Sequence, residues 1–173
     1  VNILKKSSIY FDEYLYRVGK MVLLIFLLVL GIKFFILDIS SVSGVSMAPT
    51  FLDNQKVLVS KWELLLQKPD RYDVVQIVAP DNDDLIIKRV IGLPGEKIRT
   101  YNGYVYLVKD GEEQVLDEPY INEELKAGAR EFDVKEFEMG ENEYLVLGDN
   151  RPVSDDSRSF GPVHRKRILG KVF

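Results

Sequence analysis

The sequence predicts a mainly β, antiparallel domain behind a single N-terminal apolar helix. Three observations carry this. Met21 to Leu37 (MVLLIFLLVLGIKFFIL) is apolar on every face apart from Lys33. Beyond it, short β-prone runs recur between turn residues. Asn102-Gly103 and Asp110-Gly111 follow such runs closely, and each is a strong short-range hairpin signal.

Taken in order, the first element is the apolar stretch. Counted from Val18 to Leu37 it is about 20 residues long, near the length that spans a bilayer core. Lys33 lies near its far end, where a long aliphatic stem can carry the charge to the headgroups. Before Met21, Lys5, Lys6, Arg17 and Lys20 stand against Asp12 and Glu13, a net of +2. Residues 38–173 hold 18 Lys and Arg against 25 Asp and Glu, a net of −7. The positive-inside rule then puts residues 1–17 in the cytoplasm, 18–37 across the cell membrane as a single-pass anchor, and 38–173 outside. The acidic balance argues against a nucleic-acid partner. A cleavable secretory signal competes with the anchor, since Ser41-Val42-Ser43 has a small-x-small form. The stretch exceeds the usual signal core of about 7–15 residues and Lys33 would interrupt it, which favours an uncleaved anchor.

Past the anchor, Val57-Leu58-Val59 is a short strand. Tyr72 to Ala79 alternates, with Val75, Ile77 and Ala79 on one face and Asp73 at the start of the same parity. Leu85 to Ile91 follows, then the hairpin in KIRTYNGYVYLV, then Glu143 to Leu147 and a closing strand over Arg167 to Phe173. Glu63 to Gln67 reads as a brief helix, and residues 121–130 (INEELKAGAR) as one helical turn or a loop.

With 173 residues there is room for one compact domain and an appendage. No cysteine is present, which removes disulfides, thiol nucleophiles and thiolate zinc sites. His164 is the one histidine, so a zinc site of ordinary spacing is excluded and a Ser/His/Asp protease would have to use it as base.

Three segments concentrate chemistry: Ser43 to Thr50 (SGVSMAPT), Lys88 to Glu96 (KRVIGLPGE) and Gly148 to Gly161 (GDNRPVSDDSRSFG). The first is rich in small residues, as exposing a serine hydroxyl requires, although a serine in such a stretch is by itself as well explained by a turn. Lys88 interrupts LIIKRVIGL, with Ile86 and Val90 on its own strand face. If that face is buried, loss of water lowers the ammonium pKa. An ordinary lysine near 10.4 cannot act as a base at neutral pH, and one brought to about 7–8 can. A lowering by ~3 pH units costs roughly 4 kcal/mol. A lysine snorkelling from a strand edge is the alternative. The third segment is a polar loop in which Asp156 and Arg158 can brace each other and Ser154 can hydrogen-bond; a solvated turn is its alternative.

Together and in this order, these segments resemble bacterial type I signal peptidases, in a short form of the Gram-positive kind. Ser46-Met47-x-Pro49-Thr50 is similar to the family's nucleophile box, Lys88 to Gly95 (KRVIGLPG) to its lysine box, and Gly148-Asp149-Asn150-Arg151, Ser154 and Asp156-Ser157-Arg158 to its last box. Asp73 to Pro80 (DVVQIVAP) resembles the strand box between them. The resemblance implies a signal peptidase/LexA-like β domain with residues 100–142 as a small variable β insertion. It implies a serine endopeptidase that cuts signal peptides from secreted preproteins after small-x-small motifs and needs no cofactor or metal. Ser46 would be the nucleophile, Lys88 the base and Ser154 the lysine-orienting residue. Met47, Val42, Ile86 and Ile87 would line the substrate pocket, while Arg89 with Asp149 and Asp156 with Arg158 would form structural ion pairs. Two positions depart from the family pattern. Gly44 stands where some members carry a serine of the oxyanion hole, which leaves backbone N–H groups, chiefly that of Ser46, as donors. Val153 stands where a polar residue is frequent. Preproteins and the lipid bilayer are the implied partners, with pilin precursors a further substrate class. Competing readings are a LexA-like self-cleaving protein, disfavoured by the membrane helix, and a signal-peptidase-like pilus assembly factor, disfavoured by the presence of both Ser46 and Lys88.

Overall fold

The computed structural model describes residues 2–128 and 134–173, in two compact units, 1–37 and 38–173. The first unit is the helix α1 (Asn2–Phe35). Its segment Asp12–Gly31 is long and apolar enough to cross a membrane, with a mean hydropathy of 1.8 and no part of it buried inside the protein. The helix ends at Phe35, and Leu37, expected at the end of the anchor, belongs instead to the first strand. The snorkelling expected of Lys33 concerns a side chain outside the described ones.

The second unit is β-rich. After β1 (Leu37–Ser41) come β2 (Lys56–Ser60), the single-turn helix α2 (Glu63–Leu66), β3 (Val74–Val78), β4 (Leu85–Gly92), β5 (Lys97–Tyr101), β6 (Tyr104–Lys109) and β7 (Glu112–Val115). Next are α3 (Glu123–Ala127), β8 (Lys135–Glu138), β9 (Glu143–Leu147), α4 (Ser157–Phe160), β10 (Val163–His164) and β11 (Ile168–Val172). One sheet runs β1-β2-β11-β3-β4-β9-β10 and a smaller one β7-β6-β5-β8, with antiparallel pairing in every described register. The expected mainly β, antiparallel class is the observed one.

Both hairpin signals act as expected. Asn102 and Gly103 have φ of 50° and 80°, and Asp110 and Gly111 54° and 84°. Paired positive φ values give the turn whose twist suits two flanking strands. The first strand of the Asn102-Gly103 hairpin starts at Lys97, where the stretch KIRTYNGYVYLV begins. Within 121–128 a helix does form, over Glu123–Ala127, where the Asn122 side chain accepts from the Leu125 N–H and caps it. Ala129 and Arg130 lie outside the described residues.

The middle of the large sheet is covered on both faces. Val75, Ile77 and Val90 pack with Tyr144, Val146, Val163 and Ile168 on one side. Val74 and Ile87 pack with Val42, Met47, Val57, Val59 and Val172 on the other. The alternation read in Tyr72 to Ala79 is therefore only half of that strand's pattern, since Val74 and Gln76 are also buried. Strands buried on both faces lose the polar side that makes alternation legible.

Candidate active site

Lys88 lies in mid-β4, opposite Val75 of β3, in a strand whose residues from Ile87 to Gly92 are all buried. It is 3% exposed, and its Nζ donates to Ser46 Oγ at 2.8 Å. Burial pulls the amine below its ordinary value; the Asp156 and Asp155 carboxylates act the other way and do not restore it. The snorkelling alternative for this lysine is thereby excluded.

Ser46 sits in the turns that follow β1. Two bonds from one residue hold the segment: Asn150 N–H donates to Ser46 O at 3.0 Å, and Asn150 Nδ2 to Val45 O at 3.1 Å. Gly44 N–H donates to Asp53 Oδ1 at 2.8 Å, so it is already engaged. Among the described residues nothing accepts from the Ser46 N–H, which leaves it available to a developing oxyanion. Gly148 lies directly behind: a Cβ there would fall 2.5 Å from Ser46 O and 2.1 Å from Ser154 Oγ.

Both expected ion pairs form. Arg89 Nε and Nη2 donate to Asp149 Oδ1 and Oδ2 at 2.8 and 2.6 Å, the forked geometry that guanidinium and carboxylate share. Thr50 Oγ1 also donates to Asp149, which ties the pair to the nucleophile segment. Arg158 grips Asp156 at 2.8 and 2.9 Å, and Gly148 N–H donates to the same carboxylate at 3.0 Å. Burial alone would raise the Asp156 carboxyl, but these bonds outweigh it and hold the group below its usual range. Asp156 also caps α4 by accepting from Arg158 N–H, so the end of the polar loop is a helical turn and not a solvated one.

Ser154 departs from expectation. Its Oγ is buried and makes no bond to Lys88, so the bond that would orient the amine is not formed; the charged group it helps to stabilise is the Asp156 carboxylate. The hydroxyl sits beside Gly148, and its direction depends on a loop conformation that residue spacing does not encode. His164 is exposed, and its Nδ1 accepts from Lys166 N–H on the 3-10 turn Arg165–Arg167. It is engaged away from Ser46.

Val42, Met47, Ile86 and Ile87 converge, as expected, on a pocket of about 30 Å³ that Ser46 also lines. Ser40, Ser41, Ser43, Gln76 and Leu85 also line it, and no pattern in the sequence singled out Ser40 or Gln76. A wider cleft of about 260 Å³ opens beside Ser46 and Lys88, rimmed by Asp81, Val153 and Asp155. Val153, the second departure from the family pattern, is exposed there.

Sequence reasoning also missed a buried group behind the site. Arg151 Nη1 donates to Glu118 Oε2 at 3.0 Å, its Nη2 bonds Glu118 Oε1, and its Nε donates to Gly148 O at 3.1 Å. Tyr120 donates to Glu118 and lays its ring against Arg89, 3.9 Å from the guanidinium carbon to the centroid. Glu118 stands among other acidic residues in GEEQVLDEPY, so nothing in its neighbourhood distinguished it.

A family model described as "Signal peptidase, peptidase S26" matches residues 15–173. A probable signal peptidase I-2 of Synechocystis is 33% identical over 163 residues, covering 91% of this chain and 71% of that protein. Signal peptidase I V of Bacillus subtilis is 36% identical over 140 residues, covering 76% and 80%. Signal peptidase IB of Staphylococcus aureus is 36% identical over 151 residues, covering 80% and 76%. Among solved structures, a signal peptidase I of Enterococcus faecalis superposes with a TM-score of 0.53 at 30% identity, over 62% of this chain and 98% of that one.

Proposed function

Because the chain belongs to the signal peptidase family, peptidase S26, we propose that it cuts signal peptides from secreted preproteins as a serine endopeptidase, with Ser46 attacking and Lys88 as its base. The observation that carries the residue assignment is the 2.8 Å separation of Lys88 Nζ and Ser46 Oγ within a buried setting. At that separation a neutral amine can accept the proton that the hydroxyl gives up.

The chemistry follows from these groups. Ser46 Oγ bonds to the scissile carbonyl carbon as its proton passes to Lys88 Nζ. The carbonyl oxygen takes the negative charge and accepts from the Ser46 N–H. The C–N bond breaks as Lys88 returns the proton to the departing amine, which leaves a seryl ester. Water then gives a proton to Lys88, attacks the ester, and Ser46 leaves with that proton. Arg89, Asp149, Asp156 and Arg158 hold the two segments in register. The small pocket bounded by Val42, Met47, Ile86 and Ile87 suits a small side chain before the cut.

The lipid bilayer is the second proposed partner. Residues 18–37, which overlap the apolar segment Asp12–Gly31, would cross it once, residues 1–17 would face the cytoplasm, and residues 38–173 would face outward. Residues 100–142 would be the family's variable insertion. Pilin precursors with a signal peptide would enter as other preproteins do. The test uses the full chain in vesicles with a labelled preprotein. Ser46→Ala and Lys88→Ala should each abolish cleavage while the far-ultraviolet circular dichroism stays unchanged. Full activity in Lys88→Ala would remove the dyad.

A further inference from the structure

The small pocket beside Ser46 is not uniformly apolar. Gln76 lies on β3, where a strand buried on both faces calls for aliphatic residues, as Val74, Val75 and Ile77 supply. It stands opposite Ile87 of β4, which also lines the pocket. Its side chain is not a misplaced surface group: it is 6% exposed, and its Nε2 donates to Ser40 Oγ at 2.9 Å. Ser40, on the edge strand β1, lines the same cavity together with Ser41 and Ser43.

A buried primary amide carries two donors and a carbonyl acceptor, and Ser40 occupies only one of the donors. The Ser40 hydroxyl, having accepted from Gln76, still has its own proton to give. The pocket wall therefore offers both donors and acceptors within a volume of about 30 Å³, room for little more than a methyl or hydroxymethyl group.

Resting on the signal-peptidase reading above, we infer that Gln76, held by Ser40, is a specificity-determining residue that fits this pocket to a small hydroxyl side chain, serine above alanine, in the peptide before the cut. An aliphatic pocket of this size would accept both methyl and hydroxymethyl groups but would leave a buried hydroxyl without partners. Gln76 and Ser40 supply those partners. A serine entering here keeps its hydrogen bonds, and an alanine leaves the amide less well satisfied.

The experiment measures kcat/KM of the full chain in vesicles on matched preproteins that carry Ser or Ala at the residue before the cut and, separately, two residues further back. Gln76→Val should lower the Ser/Ala ratio at one of these positions by roughly three- to ten-fold, the range spanned by one neutral hydrogen bond. Ser40→Ala, which keeps the amide but removes its anchor, should lower the same ratio and serves if Gln76→Val folds poorly. An unchanged ratio at both positions in a folded variant overturns the inference and leaves the functional reading intact. Failure of the unaltered enzyme to cut any of the preproteins overturns both.

Discussion

Lys88 is at once the proposed base of the site and a burden on the fold. Unfolded, its amine titrates at the ordinary value of 10.5, and in the fold burial makes it release its proton at lower pH. Between those two pH values the unfolded chain holds the extra proton, so stability rises with pH through that window. Below the window the fold must carry a buried ammonium, and that gain is lost. Each pH unit of lowering corresponds to about 1.4 kcal/mol. Lys88→Met should therefore abolish cleavage and raise Tm at neutral pH, with the difference shrinking as the pH approaches the ordinary lysine value; paired thermal melts across pH check this. Cleavage by the unaltered enzyme should climb with pH as Lys88 loses its proton, with the acid limb centred below 10.5. This residue was legible in the sequence because a charge interrupting an apolar strand has few explanations. Ser154 was not, since a hydroxyl's orientation is decided by how its loop packs.

Among the elements, the stretch between β7 and α3 does more than connect. Glu118 and Tyr120 reach into the catalytic scaffold, and Glu118 closes a buried pair with Arg151 of the last box. Arg151 remains fully charged because the attraction of Glu118 overcomes the effect of burial. Removing one partner of such a pair strands the other charge in a medium that cannot solvate it. Glu118→Gln is expected to destabilise the domain by about 3–5 kcal/mol, read from urea denaturation. Glu118→Leu combined with Arg151→Met should recover most of that loss, since well-packed apolar replacements remove both charges together. The strands and hairpins were readable from turn chemistry and β-prone runs. This pair was not, because its members are 33 residues apart and each sits among other charges. The helix α4 was hidden for a similar reason: its cap, Asp156, is also the ion-pair partner of Arg158, and only the latter role was apparent.

For the whole molecule, the division at Leu37 separates a membrane-length helix from a unit that contains every residue of the proposed chemistry. The helix supplies no reacting group. In the proposed anchoring its contribution would be to hold enzyme and substrate in one plane, which raises their effective concentration. A chain beginning at Leu37 should cut a short soluble peptide at a rate within about two-fold of the full protein, and a vesicle-embedded preprotein at least ~10²-fold more slowly. Steady-state assays of both substrates with both chains decide it. The order of apolar helix, Ser46, Lys88 and polar loop along the chain was visible from the sequence; the two-sided burial that turns β4 into a dry seat for an amine became visible only once the strands were paired.

Gly148 has a consequence for how this site can change. With Ser154 Oγ on one side and the Ser46 carbonyl on the other, it occupies a gap no wider than a hydrogen atom requires. A single methyl there would act as a shim, pressing on the Ser46 carbonyl and prising the serine-bearing turn away from the amine. Variation in this enzyme can therefore accumulate in the walls of the peptide pocket, but hardly in the hinge-pin behind it.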